Sequence, residues 1–166
     1  VRKKDKKFMT DLIIRPATKN DAASILYFIR ELAIYEKAEH EVVATPEHIE
    51  RTMFSDNPQA FGLMCLDGDK AIGFAVYFFS YSTWLGHKNL YLEDLYVTPE
   101  ARGKGAGKAF FKSLAQIALD EKCERFEWSV LDWNTPSIAF YESLGGKAQN
   151  EWIRYRLTGD EIKNLL

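Results

Sequence analysis

The stretch Arg102-Gly103-Lys104-Gly105-Ala106-Gly107-Lys108 sets three glycines among three basic side chains, just before an apolar run. Glycine costs conformational entropy and weakens helices, so three of them where a helix begins call for a chemical reason. The first N–H groups of a helix have no partner within it, and its N-terminus carries partial positive charge. Glycines let a ligand come close to that backbone, while Arg102, Lys104 and Lys108 add formal charge. Phosphate is the natural guest. Two nucleotide patterns fail here. A Walker loop needs four residues between its first glycine and Gly-Lys-Ser/Thr, but three separate Gly103 from Gly107, and Ala109 follows Lys108. A dinucleotide fingerprint needs G-x-G-x-x-G on the first strand–helix turn, but Lys108 occupies the last glycine and the loop follows the fourth predicted strand. A flexible surface turn stays open as the alternative.

The elements that must position this loop follow from apolar spacing. Residues 12–16 (LIIRP) form a short β-rich run stopped by Pro16. Over 18–37, Ala22, Ile25, Leu26, Ile29, Leu32 and Ala33 make a helical stripe, with Thr18 and Asp21 as a capping box. Glu36 continues that stripe, placing a carboxylate at its end, or it belongs to a frayed helix end in solvent. A second helix is predicted over 45–54, with Thr45 as N-cap and Pro46 at the first turn. Strands at 60–66 and 70–81 flank a hairpin signature, Asp67-Gly68-Asp69. A strand at 89–97, a helix at 108–122, a strand at 125–131 and a short helix at 135–146 follow. Residues 151–157 alternate as a last strand, with one further short strand around Lys147–Ala148. The order β-α-α-β-β-β-α-β-α-β predicts an α/β (α+β) fold. Early hairpins give antiparallel pairs, and the later strand–helix–strand gives a right-handed parallel crossover.

Composition sets the bounds. A chain of 166 residues reads as one domain, here 11–166, large enough for a core without staples. Residues 1–10 read as a leader or appended segment, with Met9 a candidate original start. A formal charge of −2 argues against nucleic acid, and no run of 18 apolar residues argues for a membrane span. Cys65 and Cys123 stand alone, which fits a reducing, cytoplasmic setting and buried thiols. His40, His48 and His87 lack ligand spacing, so no metal is expected.

Five segments together carry a family resemblance: IRPAT, FFSYSTWLG, LYLEDLYV, RGKGAG and VLDWNTPSIAFYESLGG. The chain resembles the GNAT superfamily of acyl-CoA-dependent N-acetyltransferases over nearly its whole length from residue 11. Within it the chain is similar to the spermidine/spermine acetyltransferase group, especially the branch associated with thialysine and small diamines. The resemblance implies a mixed, mostly antiparallel twisted sheet with helices on both faces, and a homodimer. It implies acetyl-CoA as co-substrate, with its pyrophosphate on the loop from Arg102 to Lys108. It also implies a β-bulge that turns a backbone N–H of Leu95, Tyr96 or Val97 toward the thioester. Asn134 would hydrogen-bond the pantetheine arm, with Ser137 and Phe140 nearby; on its own spacing Asn134 is equally a helix cap.

Acetyl transfer to an amine then assigns further roles. A lysine-like ammonium has a pKa of about 10.4, so deprotonating it at pH 7 costs roughly 4–5 kcal/mol. Glu93, in YLEDLYV, is the implied base, acting directly or through water, though a strand-end carboxylate facing solvent is the plainer reading. Tyr141 is the implied acid for the leaving thiolate; three residues after Ile138, a packing tyrosine is the alternative. Tyr35 and Glu36 match acceptor-pocket positions. Trp84 and Trp128 offer aromatic walls for a cation, or plain core, and Glu151 is a further pocket candidate. No cysteine matches a catalytic position, so transfer is expected to be direct, in a ternary complex. The expected acceptor is a small diamine, a polyamine or a lysine-like amino acid. A protein N-terminus or lysine side chain is the alternative acceptor, and a non-catalytic acyl-CoA sensor the alternative class. YSTW and EWIRY depart from the acidic spacing of polyamine-selective members, which leaves the amine open.

Overall fold

Alternating apolar residues build one five-stranded sheet from β1 (Leu12–Pro16), β2 (Phe61–Asp67), β3 (Lys70–Ser82), β4 (His87–Val97) and β5 (Phe126–Trp128). The strands lie side by side in chain order, antiparallel except for the parallel β4–β5 pair. The computed structural model describes residues 12–166, so the leader reading of residues 1–10 lies outside the described residues. The chain divides into two compact units. The first runs to Ser129 and adds α1 (Ala22–Tyr35), α2 (Pro46–Met53) and α3 (Ala106–Asp120) to the sheet. The second, Val130–Leu166, holds α4 (Thr135–Ser143) and α5 (Gly159–Lys163). No helix among the described residues is long and apolar enough to cross a membrane.

In the first unit, helices cover both faces of the sheet. On one face, Ala22, Ile25, Leu26 and Phe28 of α1 and Ile49 of α2 meet Met64, Phe74, Val76 and Tyr96. Phe28 sits with its ring centroid 5.7 Å from Phe74 and 6.0 Å from Tyr96. On the other face α3 brings Phe111 against Phe126 and Trp128, each at 5.1 Å. Phe74 and Phe110 are fully buried, and truncating either to alanine costs about 3–5 kcal/mol.

The turn from β1 into α1 is tied by charge. The Arg15 guanidinium donates to both oxygens of Asp21, at 2.7 and 2.9 Å, while the Thr18 backbone N–H donates to Asp21 at 2.7 Å. These bonds realise the predicted capping pair and hold the Asp21 carboxyl down at about 2, the Arg15 hydrogen bond being the largest cause. Thr45 caps α2 as its spacing predicts, accepting from the His48 N–H at 3.2 Å.

One stretch departs from expectation. Residues 147–157 form no strand; Trp152, Ile153, Tyr155 and Leu157 are exposed, and the chain closes with α5 instead. The physical reason lies in backbone pairing. A strand needs a neighbour for its N–H and C=O groups, and the second unit contains no other strand among its described residues.

Candidate active site

The first unit gathers carboxylates where the sheet breaks its own rhythm. Register along β3 and β4 pairs Val76 with Asp94, then Tyr77 with Leu92, so Glu93 is an extra residue on β4. A bulge of this kind bends the strand and re-aims its side chains. Asp94 lies opposite Val76, on the face that α1 covers, and is half-buried, while Glu93 is exposed. Burial pushes the Asp94 carboxyl up to about 7, with the negative charges of Glu93 and Glu36 adding to the rise. Burial also raises Glu36. The expected bulge is therefore present on β4, two residues before Leu95. Leu95, Tyr96 and Val97 themselves pair regularly with Ala75, Phe74 and Gly73.

Glu36 owes its position to how α1 ends. Lys37 adopts a left-handed conformation (φ 59°), its N–H bonding Ile34 O at 3.1 Å, while the Ala38 N–H bonds Ala33 O at 2.8 Å. This is the double-bonded helix stop that usually takes glycine. It fixes Glu36 at the helix terminus rather than in a frayed tail.

The glycine loop runs from β4 to α3. A single turn, Pro99–Ala101, leads to Gly103 (φ 74°) and Gly105 (φ 91°), both in the region that side chains resist. Gly105 is the N-cap of α3, and among the described residues no side chain caps that helix. The N–H groups of Ala106, Gly107 and Lys108 precede the first intrahelical bond, Ala109 N–H to Gly105 O at 2.9 Å. Gly103, Lys104, Gly105 and Lys108 are exposed. An uncapped fifteen-residue helix behind glycines with open space around them suits a diphosphate. Arg102 does more than carry charge. Its Nε donates to Val97 O at 3.0 Å, and its guanidinium lies 5.6 Å from the ring centres of both Tyr35 and Tyr96. The loop is thereby strapped to the end of β4 and to the helix end that carries Glu36.

Among the described residues, β4 has no strand on its outer side beyond Leu92, because β5 pairs only Leu90–Leu92. That edge, over Glu93–Val97, is where a peptide-like ligand arm can find backbone partners. The aromatic candidates part company. Trp128 is half-buried and packs edge-on against Phe111 and Phe126 on the α3 face. Trp84 is 79% exposed in the β3–β4 turn. Tyr35 is exposed beside Arg102.

In the second unit, Asn134 is buried and caps α4, its Oδ1 accepting from the Ser137 N–H at 3.4 Å. Phe140 and Tyr141 are half-buried, their rings 5.5 Å apart. Glu151 is exposed. Neither thiol suits nucleophilic work: Cys65 is buried with its pKa pushed up to about 11, and burial raises Cys123 too.

Asp94 is the residue that the motif reading passed over. Its signal is a phase slip in the apolar pattern. Leu90 and Leu92 are two apart, as are Leu95 and Val97, but three positions separate Leu92 from Leu95. A strand that keeps one apolar face across such a slip must contain a bulge.

The fourth strand thus parts from the fifth after Leu92, and a glycine loop opens the helix that follows it. The model of the acetyltransferase (GNAT) family matches residues 26–146, and the chain belongs to that family. It is 38% identical to thialysine N-epsilon-acetyltransferase of Sus scrofa, across 95% of this chain and 98% of that protein. It is 35% identical to spermidine/spermine N(1)-acetyltransferase-like protein 1 of Homo sapiens, across 92% of this chain but 23% of that protein. Among solved structures, an integron cassette protein from V. cholerae superposes with a TM-score of 0.77 at 26% identity, across 93% of this chain and 96% of that one.

Proposed function

We propose that the protein transfers the acetyl group of acetyl-CoA to a primary amine of a small diamine, polyamine or lysine-like amino acid, by direct attack in a ternary complex. The observation that carries this reading is the carboxylate cluster at the bulge, where Asp94 sits at about 7 with Glu93 and Glu36 adding negative potential. Crowded carboxylates favour a cationic guest, since an ammonium relieves their repulsion. The relatives named for thialysine and for spermidine/spermine support the same class of acceptor.

The ammonium must then lose a proton. Handing it from a group near 10.4 to an ordinary carboxylate near 4 is uphill by roughly 8 kcal/mol. Handing it to a carboxyl at about 7 is uphill by roughly 4–5 kcal/mol. Glu93 therefore serves as the exposed contact for the amine, directly or through water, and Asp94 as the seat of the proton. The exposed amides from Gly103 to Lys108 hold the diphosphate, and a backbone N–H of Leu95, Tyr96 or Val97 faces the developing oxyanion. Asn134, Ser137 and Phe140 hold the pantetheine arm, and Tyr141 protonates the departing thiolate. The raised thiol of Cys65 supports direct attack over an acyl-cysteine route.

Release of free coenzyme A thiol across a panel of primary amines tests the activity. Tyr141→Phe is expected to lower kcat by about 10²-fold or more while leaving acetyl-CoA affinity unchanged. Loss of cofactor affinity with unchanged turnover per bound cofactor would make Tyr141 a packing residue. Uptake of acetyl-CoA without thiol release on any amine would return the protein to the sensor class.

A further inference from the structure

The face of the sheet that carries Asp94 continues past the cover of α1. Val76 is buried against α1, but one pair further on, Phe78 and Tyr91 are half-buried, with ring centroids 5.1 Å apart. Next comes the Ser80–Asn89 pair, and on the neighbouring strand Glu127 stands opposite Tyr91. Phe126 and Trp128 turn to the α3 face, so Glu127 between them turns to this one.

Two features of this strip are incomplete. Glu127 is half-buried, and among the described residues no cation pairs with it; its hydrogen-bond partner is the Asn89 Nδ2, at 3.4 Å. Asn89 is 97% buried, with Nδ2 also 3.5 Å from Ser80 Oγ, and its Oδ1 has no partner among the described residues. Asn89 thus holds the Glu127 carboxylate from the sheet side. An ammonium supplies the counter-ion that this carboxylate lacks, together with N–H donors for its oxygens.

We infer that Glu127, held by Asn89, binds a second ammonium group at the far end of the acceptor and so sets its length. This rests on the amine-acetyltransferase reading above. Glu127 lies two residues back along the sheet from Glu93 and one strand across, which is about 8 Å at ordinary strand rise and spacing. A chain of about five methylenes spans that gap, lying over the Phe78 and Tyr91 rings, and its two ammonium groups then meet the bulge carboxylates at one end and Glu127 at the other. An alkyl monoamine reaches only the first.

Acetylation rates for straight α,ω-diamines from two to seven carbons, each beside its matching monoamine, test this in the full chain. Diamines near five carbons are expected to lead. In Glu127→Gln their kcat/KM falls about tenfold or more through KM, with kcat kept, while monoamines are unchanged; such a loss is the size of one charge-assisted hydrogen bond. Equal losses for diamines and monoamines, or no loss for either, would overturn the assignment. Calorimetric binding of 1,5-diaminopentane separates this inference from the catalytic one. Binding weakened in Glu127→Gln supports the subsite even where no acetyl group moves, and binding equal to that of the unaltered protein overturns it. Glu127→Lys, which reverses the charge, is expected to weaken diamine binding further still; diamine binding as tight as in the unaltered protein counts against the subsite.

Discussion

Asp94 and Glu93 are neighbours on one strand, yet their surroundings separate their chemistry. The bulge leaves Glu93 exposed and Asp94 half-buried, and burial is the main cause of the rise of Asp94 to about 7. A base is most effective near its operating pH. The acid limb of kcat/KM is therefore expected near pH 7 and is expected to vanish in Asp94→Asn, together with most of the rate. Glu93→Gln should instead raise the amine KM and keep the limb, moved to lower pH because one of the negative charges that raise Asp94 is gone. A limb that survives in Asp94→Asn would return the proton to Glu93. At this scale the glycine loop, Glu36, Glu93 and Asn134 were legible in the sequence, because motif and helical spacing mark them. Asp94 was legible only through the slip between Leu92 and Leu95. Trp128 was ambiguous, since a tryptophan in an alternating strand suits either face until its neighbours are known; here they are Phe111 and Phe126.

At the scale of elements, two glycines set apart what the fold needs from what the ligand needs. A Cβ on Gly73 would lie 2.5 Å from Tyr96 O and 3.2 Å from the Val97 Cα, both backbone atoms. Gly73→Ala must therefore push β3 away from β4 just below the bulge, and a stability loss of about 3 kcal/mol is expected, at the upper end for overpacked cores. A Cβ on Gly105 would meet nothing within 4 Å, but the residue sits at φ 91°. Gly105→Ala should cost about 1–2 kcal/mol in backbone strain. It should also weaken acetyl-CoA binding while leaving the fold intact. Chemical denaturation and calorimetry on the two variants read these outcomes apart, and equal effects on both quantities would refute the division. The strand end at Val97 follows from apolar spacing, while α3 begins at Ala106, ahead of the predicted start at Lys108, because Gly107 is taken into its first turn. The strand expected over 151–157 does not form, because alternation marks which residues could line a sheet, not whether a neighbouring strand is there to pair with them.

For the whole molecule, two aspartates pull stability in opposite directions with pH. Asp21, held at about 2 by Arg15, binds fewer protons folded than unfolded. Its contribution of about 2 kcal/mol is present above pH 4 and lost as pH falls through 2. Asp94, at about 7, binds more protons folded than unfolded. Stability therefore declines as pH rises from about 4 through 7 and stays reduced above that. The full shift corresponds to about 4 kcal/mol, and partial exposure to solvent reduces it to roughly 2. Asp94→Asn removes the second decline and leaves the first. Its melting temperature is expected to exceed that of the unaltered protein by about 5 °C at pH 8 and to match it at pH 4. Asp21→Asn should behave in reverse, destabilised at pH 7 and converging with the unaltered protein near pH 2. Thermal melts of the three proteins from pH 2 to 8 make the comparison. A difference for Asp94→Asn that is the same at both ends of the range would mean its carboxyl is not held near neutrality, and the energetic case for its taking the proton of the amine would go with it.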